Sequence, residues 1–83
     1  MELKRGTVVR TLAGHDKQRF MAVLEVADRY ALIADGKTRK LSSPKRKNLI
    51  HLQLTATVLT EQEMESDNSL RKALKRFGAP ETV

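Results

Sequence analysis

The chain has no cysteine and no tryptophan, only two prolines and four glycines, and three aromatic rings, Phe20, Tyr30 and Phe77, in 83 residues. Without cysteine there is no disulfide, no thiolate zinc site and no cysteine nucleophile. Apolar runs such as Met21 to Leu24 and Ala31 to Ala34 are far too short to cross a bilayer, so no membrane association is expected. The opening Met1-Glu2-Leu3-Lys4-Arg5 has no apolar stretch behind it, so no secretory leader is expected and the location read from sequence is cytoplasmic. So few aromatics leave little for a groove that grips proline-rich peptides. They also leave few platforms for stacked single-strand bases, because Phe20 and Tyr30 are read on the apolar faces of their strands and Phe77 in a helix stripe.

Acidic residues are scarce where basic ones are dense. The whole chain carries 16 Lys and Arg against 10 Asp and Glu, a net charge of +6. Residues 1–54 hold 12 basic and 5 acidic side chains, a net of +7, whereas residues 55–83 hold 4 and 5, a net of −1. No acidic residue lies between Gly36 and Thr60. A field of this sign attracts polyanions, and it resides in the first part of the chain.

That first part has the punctuation of short strands. Thr7 to Leu12 is rich in β-branched residues. Between Arg19 and Ala27 the even positions Phe20, Ala22, Leu24 and Val26 are apolar, the period of a half-buried strand. Tyr30 to Ala34 forms a third strand. Asp35-Gly36 then predicts a tight hairpin turn with a return strand over Lys37 to Leu41. Ser42 to Lys47 is read as a loop, with Pro44 as its stop, and Asn48 to Leu54 as the last strand. The fold class expected is mainly β: about five strands in a small closed barrel over residues 1–54, followed by a polar linker and a short C-terminal α-helix. Leu70, Ala73, Leu74 and Phe77 recur at helical spacing, which predicts a helix over about 67–77, capped by Ser66, Asp67 or Asn68. Its apolar stripe suits packing on the barrel or docking on a protein partner. Thr60 with Glu63 has the spacing of a capping box and predicts a further helical turn.

The segment Gly6-Thr7-Val8-Val9-Arg10, continued by Ala13-Gly14-His15-Asp16-Lys17, resembles the opening of a KOW motif. With Tyr30-Ala31-Leu32-Ile33-Ala34-Asp35-Gly36, the run Lys45-Arg46-Lys47 and the ending Asn48-Leu49-Ile50-His51-Leu52, the chain is similar to KOW-bearing large-subunit ribosomal proteins of the L-fourteen-e type and to small bacterial KOW-domain RNA-binding proteins. These segments span roughly residues 4–54. Gln18 stands where many members have glycine after the lysine, and Met21 stands near the second motif glycine. The resemblance implies an SH3-like barrel, association with RNA or the ribosome, and no catalysis.

The candidate RNA-binding residues are Lys45, Arg46 and Lys47 first, then Lys37, Arg39 and Lys40 on the predicted hairpin, Lys17 and Arg19 at the first turn, and His51 on the polar side of the last strand. Adjacent cations beside Ser42 and Ser43 offer charge and hydroxyl donors to phosphate oxygens. His15 next to Asp16 does not make a catalytic pair, since neighbours on a turn fix no geometry for a nucleophile. His15 and His51 lie far apart with no cysteine to complete a metal site, so no metal or other cofactor is expected. No helix combines a basic face with base-reading side chains, which argues against a duplex-DNA reader. The function expected is non-catalytic binding of structured RNA through phosphates, with ribosomal RNA in the large subunit as the leading target and no small-molecule substrate. The alternative is a protein-interaction module that docks an acidic partner with its barrel and C-terminal helix.

Overall fold

The computed structural model describes residues 2–14 and 18–78. Five strands run in chain order: β1 (Thr7–Thr11), β2 (Phe20–Val26), β3 (Tyr30–Ala34), β4 (Lys45–Asn48) and β5 (Leu52–Val58). A 3-10 turn at Leu49–His51 joins β4 to β5, a second at Gln62–Met64 follows β5, and α1 (Asp67–Gly78) ends the described chain. All pairings are antiparallel in one sheet of order β4-β3-β2-β1-β5. Strands β4 and β5 lie at opposite ends of that order, yet a single 3-10 turn of about 2 Å rise per residue connects them. Only a strongly curled sheet brings its two edges that near. The result is barrel-like, but no ladder closes it between β4 and β5 among the described residues.

The mainly β class, the count of five strands and the C-terminal helix are as the sequence predicts, whereas the hairpin after β3 is not. Asp35-Gly36 forms no two-residue turn, and residues 37–41 form no strand. Instead the Asp35 carboxylate accepts the backbone N–H groups of Lys37 (2.9 Å) and Arg39 (2.8 Å), coiling the segment into a loop. Gly36 adopts φ +80°, and a β-carbon there would stand 2.2 Å from the Asp67 carbonyl oxygen. The loop is therefore seated on the first turn of α1, where the Leu41 N–H also donates to the Asp67 carboxylate (2.7 Å). The true partner of β3 is β4, with Lys45 opposite Ile33, Arg46 opposite Leu32 and Lys47 opposite Ala31. The basic run expected in a loop is thus an edge strand, the one place in a sheet where a row of cations is well tolerated. The last strand also starts later than expected, at Leu52, and runs on to Val58.

The central strand is buried on both faces. Met21 and Val23 join Val9, Ala31, Ile33 and Leu52 in one cluster inside the curl. Ala22 joins Val8, Ala34, Leu59, Met64, Leu70, Ala73 and Leu74 in a second, covered by the helix. Period two along β2 holds, but both phases face apolar partners, so the expected half-buried strand is a fully buried one at its centre. Burying a side chain such as Ile33 or Leu70 stabilises by about 1.5–3 kcal/mol. The helix stripe therefore packs on the sheet, and the rings of Phe20 and Phe77 meet at 5.6 Å between centroids. Ser66 caps α1 by accepting the Ser69 N–H at 3.1 Å. Thr60 and Glu63 make the reciprocal bonds of a capping box, 2.9 and 3.1 Å, around the second 3-10 turn.

Candidate nucleic-acid interface

Strand geometry divides the run Lys45-Arg46-Lys47. Successive side chains on β4 point to opposite faces, so Lys45 and Lys47 share the face of Ile33 and Ala31, and Arg46 shares that of Leu32. Lys47 snorkels from its half-buried position to donate from Nζ to the Ala13 carbonyl at 2.7 Å. One of its donors is thus engaged by the fold, which sets it apart from exposed Arg46. Arg46 is exposed, and its guanidinium carbon lies 4.3 Å from the centroid of the Tyr30 ring. Tyr30 is correspondingly not on the buried face of β3. Ala31 and Ile33 are buried inside the curl, while Tyr30, Leu32 and Ala34 alternate onto the other face, which α1 covers only at the Ala34 end.

On that same helix side, cations converge from three separate segments. Lys37, Arg71, Lys72 and Lys75 line one hollow. A contiguous hollow that shares Lys37 and Arg71 is completed by Gln18, Arg19, Phe20, Asp35 and Leu74. Together they form an open groove between the loop after β3 and α1, bordered by Arg19, Lys37, Arg71, Lys72 and Lys75, all exposed. Among the described residues Asp35 is the one carboxylate that lines it, and its Oδ1 is already engaged by two backbone N–H groups. Arg19 is held toward the loop by donating to the Thr38 hydroxyl (2.8 Å), and Arg71 donates to the Asn68 side chain (3.0 Å). Nearby acids have their own partners: Glu63 bonds to Thr60 and lies 3.7 Å from Arg76, and Asp67 accepts from Leu41. A cleft lined by one sign of charge concentrates the opposite charge.

Of the residues singled out in the sequence, Lys37 and Arg19 lie on the groove. Lys40 is exposed but does not line it, and Arg39 takes part in the loop through its backbone N–H to Asp35. His51 sits in the 3-10 turn rather than on a strand, and its carbonyl accepts the Leu12 N–H at 2.9 Å, away from the groove. Lys17, with His15 and Asp16, lies outside the described residues. Sequence reasoning missed Arg71, Lys72 and Lys75 as partners of Lys37. Their helical spacing marks them as one polar side, but nothing local says what stands opposite.

Gln18 has φ +68° and is the one non-glycine with positive φ among the described residues. Its backbone N–H donates to the Thr11 carbonyl, and its side chain accepts from Arg10. The described residues contain no group of three or more side chains fit to hold a metal ion, and no helix long and apolar enough to cross a membrane. A scan against protein-family models matches none of them. No curated protein is significantly similar to the chain.

Proposed function

We propose that the protein is a non-catalytic, cytoplasmic RNA-binding protein that holds structured RNA by its phosphates, with ribosomal RNA as the target that the KOW resemblance implies. The observation that carries this reading is the groove, where five cations from three segments face solvent beside a single engaged carboxylate. Like charges gathered in this way repel one another until an anion enters, and a phosphate backbone supplies several anions at once. Gln18 lends support to the resemblance, because it adopts the left-handed conformation at the position where many KOW members carry glycine. The alternative reading, an acidic partner protein anchored on the helix stripe, has less behind it, since Leu70, Ala73 and Leu74 are buried in the core.

The test is affinity for a folded ribosomal RNA fragment, measured by fluorescence anisotropy across a salt series. About five phosphate contacts give a log–log slope of about −3.5 to −4.5. Changing Lys37, Lys72 and Lys75 together to Glu should abolish binding. A slope near zero, or a triple variant that binds like wild type, overturns the reading. Sedimentation with the large ribosomal subunit, lost in the same variant, would identify the RNA.

A further inference from the structure

Arg46 is the cation whose arrangement a phosphate groove does not explain. Arg5 pairs with Glu61, Arg10 with Gln18, Arg19 with Thr38, Arg71 with Asn68, Arg76 with Glu63, and Lys47 with Ala13. The Arg46 side chain has no hydrogen bond or ion pair among the described residues and is held over the Tyr30 ring instead. A guanidinium resting on an aromatic face is a preorganised plane that keeps its donors free. It is exposed and, opposite Leu32, lies on the face of the sheet that also carries Tyr30 and Ala34. Tyr30 and Ala34 lie on that face four residues apart, about 13 Å along the strand, with the groove beginning just after Ala34.

Asn48, the cross-strand partner of Tyr30, lines a hollow with Asp28, Arg29, Leu49 and Ile50. Asp28 offsets Arg29 there, and Ile50 is 77% exposed, a large apolar side chain left in water. The guanidinium over the Tyr30 ring offers an unstacked nucleobase a flat face to stack on and N–H donors for its edge, which a lysine ammonium does not.

We infer that Arg46, backed by Tyr30, is a stacking platform for one unpaired RNA base, so that the preferred RNA is a helix carrying a bulged or looped-out nucleotide. This rests on the RNA-binding reading: the groove holds the helix backbone, and Arg46 selects the unpaired nucleotide beside it.

The test uses two RNA stem-loops, one with a single bulged 2-aminopurine and one fully paired, with the full chain and its Arg46→Lys variant. Lysine keeps the charge and removes the plane. Wild type should bind the bulged RNA about tenfold more tightly than the paired one, with a change in 2-aminopurine fluorescence. Arg46→Lys should lose that preference and the fluorescence change while binding the paired RNA as wild type does. If wild type binds both RNAs equally, or Arg46→Lys keeps the preference, the platform is wrong and the phosphate reading stands. If wild type binds neither RNA at any salt, the RNA-binding reading itself fails, and the platform with it.

Discussion

The backbone of Gly36 lies against the first turn of α1 so closely that a β-carbon on Gly36 would stand 2.2 Å from the Asp67 carbonyl oxygen. This contact turns the loop after β3 into one wall of the groove and sets Lys37 opposite Arg71, Lys72 and Lys75. Gly36 also holds φ +80°, so two independent penalties fall on any side chain placed there. Gly36→Ala should destabilise the fold by about 2–4 kcal/mol, from left-handed strain and from the clash with helix backbone. Urea denaturation measures it, and an unchanged midpoint would show that the loop is not seated on the helix.

Lys47 and Lys72 should respond in opposite ways to substitution. Removing the Lys47 ammonium loses its bond to the Ala13 carbonyl, so Lys47→Ala should lower stability by about 1 kcal/mol and leave the salt slope of RNA binding unchanged. Lys72 is exposed on the groove, so Lys72→Ala should leave stability within about 0.5 kcal/mol and make the slope shallower by about 1. Paired denaturation and salt-titration experiments read both. Interchanged results would mean that the edge strand, not the groove, meets the phosphates.

Gln18 carries a strain that glycine would relieve. A non-glycine residue in the left-handed region costs about 1–2 kcal/mol, and glycine returns part of this through the greater freedom of its unfolded chain. Gln18→Gly should therefore be neutral or stabilising by up to about 1 kcal/mol, despite losing the side-chain bond from Arg10. Gln18→Val should destabilise by more than 1 kcal/mol, roughly, because β-branched residues are least at ease there. Thermal denaturation of the pair checks the order, and a more stable valine variant would contradict it.

Arg5 and Glu61 link the start of the chain to the segment after β5 through a bidentate contact, 2.8 and 3.0 Å. The hydrogen bonds from Arg5, and secondarily its charge, hold the Glu61 carboxyl below its ordinary value of 4.5. A lowered folded value means stability that is present above the ordinary value and lost as pH falls through the lowered one. Glu61→Gln should therefore flatten the loss of stability below about pH 4.5 without steepening it elsewhere. The effect is small, since both side chains face solvent. Urea midpoints measured from pH 6 down to pH 3 test it, and identical acid limbs would show that the pair contributes nothing.

Local pattern alone makes β1, β3 and α1 legible in the sequence. Thr7 to Thr11 is a run of β-branched residues, and Leu70, Ala73, Leu74 and Phe77 repeat at the helical period beside a capping serine. The positive charge of the first part of the chain is equally plain. Strand β4 is not legible, because Lys45-Arg46-Lys47 has no apolar alternation. Its extended state comes from the open edge of β3, a partner distant in sequence. Asp35-Gly36 carries a true turn signal, but one that a hairpin and a helix-seated loop share, and only the approach to Asp67 separates them. Composition and periodicity by themselves determined a basic, mainly β protein with an amphipathic C-terminal helix, because those properties depend on residues near one another in the chain. Which cations meet in the groove, which one the fold retains at Ala13 and which one lies on Tyr30 were decided by tertiary structure alone, because strand alternation and helix docking set those directions.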